Sequence, residues 1–94
     1  MEANTNKSFL EKTLGIEFIA CESSNIEAFA FDKSKGDIWV LFKRDLVYKY
    51  PGQTPEKYLE LCNADSKGKW VNDNLVKPKV DCQRYRIHSK GKIN

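Results

Sequence analysis

The fold is decided by the stretch Leu46-Val47-Tyr48-Lys49-Tyr50-Pro51-Gly52 and the helical segments that follow it. The first five residues are rich in aromatic and branched side chains, as strands are. Pro51-Gly52 ends that strand, and Thr54-Pro55 then supplies an N-cap residue and a proline at the first helical position. A helix is therefore predicted from Pro55. It presents a core stripe at three- and four-residue spacing: Tyr58, Leu61 and Cys62.

Three runs before this stretch alternate between two sides, as strands do. They are Ile16 to Cys21, Asn25 to Phe31, and Ile38 to Phe42, with a polar turn containing Gly36 before the last one. The last two runs and Leu46 to Tyr50, joined by short loops, predict an antiparallel meander. In the second run the period of two places Ile26, Ala28 and Ala30 on one side and Glu27, Phe29 and Phe31 on the other.

Further elements are predicted at both ends of the chain. Thr5 to Leu14 has apolar residues at helical spacing, and Gly15 follows as a C-cap. A second short helix is predicted from Ser66 to Val71, where Gly68 costs about 1 kcal/mol relative to Ala. Val80 to Ile87 is a candidate edge strand.

These elements predict one α+β domain. A sheet with one or two helices, whose apolar faces both need cover, implies two layers: an antiparallel meander of three to four strands and short helices. A chain of 94 residues has room for a single core. We divide it into an N-terminal extension (1–15), a domain body (16–87) and a basic tail (88–94) that we expect to fray.

Hydropathy and cysteine content narrow the class of protein. No run approaches the ~20 apolar residues of a membrane span, and no signal peptide is visible, so we expect a soluble, cytoplasmic protein without membrane contact. The cysteines, Cys21, Cys62 and Cys82, are odd in number and widely spaced, which disfavours a disulfide framework and a zinc site. We expect reduced thiols, no metal and no cofactor.

Residues suited to catalysis are scarce. His88 is the only histidine of the chain and lies in the predicted tail, and the cysteines have no evident base partner. The sequence contains no GxSxG, HExxH, DxDxDG or GxxxxGK[ST] motif. We therefore expect a protein that is not an enzyme.

Charge is distributed unevenly along the chain. Met1 to Asp65 carries eight Lys and Arg against eleven Asp and Glu, a net charge of −3, whereas Ser66 to Asn94 carries eight against two, a net charge of +6. One interpretation is that this basic segment binds phosphate with an affinity that depends on salt. The other is that its lysines and arginines only keep the C-terminal part of the chain solvated. Its most densely placed cations are Lys77, Lys79, Arg84 and Arg86.

Ser66 to Lys69 is a candidate anion site. Backbone N–H groups at the start of a helix attract anions, and Lys67 and Lys69 add two ammonium groups. Trp70 and Asn72 follow closely and offer a stacking surface and an amide. In the alternative interpretation the serine only caps the helix, the glycine only relieves crowding and the indole only fills the core.

Tyr48 and Tyr50 share one face of a strand because they are two residues apart. Their rings are either buried under the helix or line an exposed platform. Aromatic side chains on a sheet stack the bases of single-stranded RNA, at roughly 1–3 kcal/mol per base. We hypothesise that the tyrosine pair, the Ser66 to Lys69 turn and the cations from Lys77 to Arg86 converge in one positively charged groove.

The order of several short motifs is familiar from one protein family. The motifs are Ser23-Ser24-Asn25-Ile26, Phe31-Asp32, Tyr48-Lys49-Tyr50, Pro55 with Tyr58, Ala64-Asp65-Ser66-Lys67-Gly68, and Asn72. Over Ile16 to Ile87 the chain resembles the KTSC domain, which occurs at the C-terminus of some lysyl-tRNA synthetases and as stand-alone bacterial and phage proteins. The resemblance implies a role in RNA binding. Its motif positions are Tyr48, Tyr50, Ser66, Gly68 and Asn72.

The leading hypothesis is a binding module for RNA or another phosphate-bearing ligand. It would use Ser66 to Asn72, the cations Lys77, Lys79, Arg84 and Arg86, and the tyrosine pair, and its affinity would fall steeply with salt. One alternative is a phage or mobile-element protein that binds or sequesters a small signalling nucleotide. Another is an adaptor whose basic tail meets an acidic protein. The sequence leaves the oligomeric state open.

Overall fold

The computed structural model of the protein describes residues 5–88 and 92–93. Their elements follow the order α1 (Thr5–Leu14), β1 (Ile19–Ala20), β2 (Ile26–Asp32), β3 (Asp37–Phe42), β4 (Leu46–Tyr50), α2 (Pro55–Asn63), α3 (Lys67–Val71), a π-helical turn (Asn72–Val76), β5 (Gln83–His88) and β6 (Lys92–Ile93). Each strand pairs antiparallel with the next along the chain. The predicted α+β meander is therefore confirmed.

The described strands number six, whereas the sequence predicted three to four. Two-residue strands at the two edges account for the difference, since β1 pairs with β2 and β6 pairs with β5. The β6 pairing joins Lys92 to His88 and Ile93 to Ile87, where we had expected a frayed end. The other residues of the predicted tail, 89–91 and 94, lie outside the described residues.

Local capping signals fix the ends of the helices. Thr54 precedes α2, and its Oγ1 accepts a hydrogen bond from the N–H of Lys57 at 3.2 Å, with Pro55 at the first helical position. After α1, Gly15 adopts φ +71° and its N–H donates to the carbonyl of Glu11 at 2.9 Å. Both boundaries agree with the sequence-based prediction.

None of the helices within residues 5–88 is both long and apolar enough to traverse a bilayer.

Helices cover both faces of the sheet. Helix α1 packs on one face, where the buried cluster consists of Leu10, Phe18, Ala28, Ala30, Trp39, Leu41, Val47 and Ile87. Helices α2 and α3 and the π-helical turn pack on the other, where the buried cluster consists of Ile26, Phe29, Ile38, Val40, Tyr50, Leu61, Val71 and Leu75. The helix predicted in the N-terminal extension is thus part of the packed structure, a question that the sequence left open.

A bulge in β2 changes which side chains share a face. The pairing of β2 with β3 shifts between Ile26, opposite Phe42, and Ala28, opposite Leu41, so Glu27 is an extra residue. As a result Ile26 is buried with Phe29 under α2 and α3, whereas Ala28 lies under α1. The strict alternation that placed Ile26 with Ala28 was therefore wrong.

Candidate functional site

One concavity lies where β4 and β5 meet the π-helical turn, and we call it the tyrosine concavity. Its volume is about 530 Å³. It is lined by Tyr48, Tyr50, Leu75, Val76, Lys79, Val80, Asp81, Cys82 and Arg84. Two cations and two tyrosines predicted as ligand-binding residues are therefore brought together here, with Asp81, which was not predicted, beside them.

Tyr48 and Arg84 form the wall of the tyrosine concavity. They are directly paired residues of β4 and β5, and the guanidinium carbon of Arg84 lies 5.8 Å from the centroid of the Tyr48 ring. This distance is typical of a cation–π contact. The Tyr48 ring is half-buried and rests against Phe42, with 4.8 Å between ring centroids. Strand register and core packing therefore hold an aromatic face beside a solvent-exposed guanidinium.

Tyr50 does not form an exposed platform with Tyr48. Its side chain is only 2% exposed and belongs to the core under α2 and α3, although it also contributes to the lining of the tyrosine concavity. Burial raises the pKa of the Tyr50 hydroxyl well above its usual range. The phenol therefore stays protonated at neutral pH and keeps its O–H as a donor.

A second concavity lies between the loop before β2 and the start of α3, and we call it the motif concavity. Its volume is about 560 Å³. It is lined by Glu22, Ser23, Ser24, Asn25, Asp65, Ser66, Gly68, Lys69 and Asn72. Two sequence motifs about forty residues apart in the chain, Ser23-Ser24-Asn25 and Asp65 to Asn72, thus meet in space.

Gly68 is the point of closest approach between these two motifs. A Cβ built on Gly68 would lie 2.5 Å from Oδ1 of Asn25 and 2.6 Å from Oγ of Ser23. The Ser23 hydroxyl itself donates to Asn25 Oδ1 at 2.8 Å. The glycine therefore lets α3 pack directly on the loop, which is the structural alternative that the sequence left open for this residue.

The polar groups at the start of α3 are used within the protein. Ser66 Oγ accepts from the N–H of Lys69 at 3.2 Å and caps the helix. Lys67 Nζ donates to the carbonyl of Ala64 at 2.7 Å, and Lys69 Nζ contacts Asp73 Oδ2 at 2.6 Å. Hydrogen bonding to Asp73 raises the pKa of Lys69. The two ammonium groups predicted to meet an anion are therefore engaged with protein oxygens.

The remaining predicted residues lie on other parts of the surface. Trp70 packs partly buried against the core under α2 and α3, as its structural interpretation required. Lys77 is exposed and its Nζ lies 3.5 Å from Asp73 Oδ1. Arg86 is exposed on β5 opposite Leu46, two pairs away from Arg84 on the same side of the strand.

The single groove predicted from the sequence is divided in two. Tyr48, Tyr50, Lys79 and Arg84 line the tyrosine concavity, whereas Ser66, Gly68, Lys69 and Asn72 line the motif concavity. Gly68 in one and Leu75 in the other are seven residues apart, about 10 Å along a helix axis. The segment from α3 through the π-helical turn therefore borders both.

Metal-ligating and thiol groups do not form a centre in the part of the chain that the structure describes. Within residues 5–88 and 92–93 no three His, Cys, Asp or Glu side chains are grouped as a metal site would need. Cys21, Cys62 and Cys82 are free thiols that are each partly buried.

Comparison with known proteins identifies the family. The sequence profile of the KTSC domain matches residues 22–77, more than half of the chain. The chain belongs to the KTSC domain family. It is also similar to a crystal structure of a KTSC domain protein from Yersinia pestis, at 23% identity and a TM-score of 0.65, over 78% of this chain and 99% of that one. That likeness shows the fold. A search of curated protein sequences found no match.

The KTSC match covers the motif concavity completely and the tyrosine concavity only in part. Every residue of the motif concavity, from Glu22 to Asn72, falls inside 22–77. In the tyrosine concavity the match includes Tyr48 and Tyr50 but ends before Lys79 and Arg84. The cations of the tyrosine concavity are therefore outside the segment that defines the KTSC domain.

Proposed function

We propose that the protein is a non-enzymatic module that binds single-stranded RNA or another phosphate-bearing ligand at the tyrosine concavity. The observation that carries the proposal is the position of the Arg84 guanidinium beside the ring of Tyr48, with Lys79 lining the same space. An aromatic face with flanking cations is the combination that holds bases and phosphates of single strands.

Ion pairing of the cations favours the tyrosine concavity over the motif concavity as the phosphate site. Lys69 and Lys77 both contact Asp73, and the two lysines lower the pKa of that carboxyl. Within residues 5–88 no ion pair involves Lys79 or Arg84. A phosphate would therefore meet two cations that do not first have to leave a carboxylate.

Salt titration of RNA binding tests the proposal. Fluorescence anisotropy with a labelled, unstructured oligoribonucleotide should show affinity that falls from roughly 50 to 200 mM salt. Arg84→Gln and Lys79→Gln should each weaken binding and reduce the salt slope by about one. Lys35→Gln, an exposed site in the turn between β2 and β3, is the matched control and should change neither. An RNA affinity that does not change with salt concentration, or an equal loss of affinity in all three variants, would contradict the proposal.

A free small nucleotide is a second candidate for the same site. The volume of about 530 Å³ falls within the ~300–1,000 Å³ of small-ligand pockets. A mononucleotide or dinucleotide would then raise Tm by a few degrees, while longer RNA would bind no more tightly. We also propose a cytoplasmic location, because three widely spaced cysteines suit a reducing compartment, where thiols stay unpaired.

A further inference from the structure

A carboxylate interrupts the basic lining of the tyrosine concavity. Asp81 lies between Lys79 and Arg84 in the sequence and lines the same space as both. In the part of the chain that the structure describes, no ion pair joins Asp81 to either cation. A phosphate would be repelled by this carboxylate, so a site for phosphate alone gains nothing from it. Asp81 instead suits a ligand that also brings N–H donors.

The hydrogen-bonding pattern of a carboxylate restricts which nucleobase it can pair with. An ionised Asp side chain only accepts, and it presents two oxygens side by side. On the Watson–Crick edge guanine offers adjacent N1–H and N2–H donors. Adenine and cytosine each offer one donor next to an acceptor, and uracil offers one donor between two carbonyls. Guanine is therefore the base whose edge matches Asp81.

Other groups of the tyrosine concavity complement the rest of a guanine. The half-buried ring of Tyr48, packed against Phe42, provides a face for stacking when the Arg84 guanidinium, which lies over this ring in the free protein, turns to the phosphate. The buried phenol of Tyr50 lines the same space and retains its O–H, which can donate to the O6 carbonyl beside N1–H. Lys79 and Arg84 remain for the phosphate.

We propose that the tyrosine concavity selects guanine, with Asp81 accepting from N1–H and N2–H while Tyr48 stacks on the base. The inference rests on the proposed function and names the base that this site takes. It applies to guanine in a single strand and to a free guanine nucleotide alike, and the two sources are separated by experiment.

The test uses short oligouridylates that differ only in one central base. With the full chain, the guanine-containing strand should bind about tenfold more tightly than those with adenine, cytosine or uracil. Asp81→Asn should abolish this preference, because an amide replaces one acceptor by a donor, and should leave the salt slope unchanged. Asp65→Asn, an exposed aspartate in the motif concavity, is the matched control and should keep the preference.

The outcomes separate this inference from the proposed function. Equal, salt-sensitive binding of all four strands that Arg84→Gln weakens would overturn guanine selection and leave RNA binding in place. A preference for guanine that survives Asp81→Asn would overturn the role of Asp81. Guanosine monophosphate binding as tightly as the strand would support guanine selection, with the free nucleotide as its source. If neither the strands nor guanosine monophosphate bind, both proposals are overturned.

Discussion

Gly68 lies so close to Asn25 that a Cβ on the glycine would stand 2.5 Å from the Oδ1 atom of the asparagine. The two residues belong to motifs far apart in the sequence, one on α3 and one on the loop before β2. The contact also explains why a residue that weakens a helix occupies a buried position inside one. It fixes how α3 sits on the sheet and hence the shape of the motif concavity.

Gly68→Ala should lower the free energy of unfolding by no more than about 1 kcal/mol, because the two atoms that its methyl group meets are side-chain ends that can turn aside once the hydrogen bond between them breaks. The methyl group would collide with Asn25 and Ser23 together, and these two side chains are themselves hydrogen-bonded. The gain of about 1 kcal/mol from better helix propensity offsets much of this cost. Urea denaturation of the variant and the natural chain measures the difference.

A thermodynamic cycle with three substitutions identifies the cause of that loss. In a background carrying Ser23→Ala and Asn25→Ala the colliding atoms are gone, so Gly68→Ala should become neutral or stabilising by up to about 1 kcal/mol. The same loss in both backgrounds would show that crowding against this loop is not responsible.

The elements themselves could be predicted because their signals are local. Thr54-Pro55 marks the start of α2, Ser66 marks the start of α3, and Gly15 marks the end of α1. Each depends on a few neighbouring residues, which the sequence shows directly. The bulge at Glu27 has no such local signal, since it depends on the register with β3.

The arrangement of the site could be predicted only in part. Cross-strand pairing of Tyr48 with Arg84 depends on a register that no short motif reveals. The i,i+4 contact of Lys69 with Asp73 was visible in the spacing, and it removes a cation that we had assigned to a ligand. Asp81 was missed because a single acidic residue between cations carries no pattern.

Ser66→Ala should cost about 1 kcal/mol of stability and leave RNA affinity unchanged. The lost interaction is the helix cap between Ser66 Oγ and the N–H of Lys69, and Ser66 lines the motif concavity rather than the tyrosine concavity. Thermal denaturation and anisotropy measure the two quantities, and Ser66→Asp should restore most of the stability. Lost affinity without lost stability would favour the anion site predicted from the sequence.

Acid should weaken the attachment of α1 through Glu11. Its Oε2 accepts from the N–H of Phe18 at 2.8 Å and from Lys7 Nζ at 3.1 Å, and the first of these bonds is the main cause of a lowered pKa. Because the pKa of Glu11 is lower in the folded protein, its carboxylate stabilises the fold fully at any pH above the pKa of the unfolded chain, about 4.5. This stabilisation is lost as the pH falls through the pKa of the folded protein.

The natural chain and Glu11→Gln should therefore differ in free energy of unfolding near neutral pH and converge in acid. Trp39, in the cluster under α1, reports the transition by fluorescence once Trp70→Phe removes the other indole. A difference that stays constant from neutral pH to well below 4.5 would mean that the charge of Glu11 does not contribute.

Tyr48→Leu should weaken RNA binding by roughly 1–3 kcal/mol, the range for one stacked base, while Tyr48→Phe should bind almost as the natural chain does. The ring face, and not the hydroxyl, is what lies beside Arg84 and is supported by Phe42. Tyr85→Leu is the matched control, because Tyr85 occupies the neighbouring strand but stacks on Trp39 on the α1 face. Anisotropy gives the affinities and near-UV circular dichroism confirms that each variant is folded. Equal losses in Tyr48→Leu and Tyr85→Leu would mean that general loosening of the sheet, rather than a missing stacking face, weakens the complex.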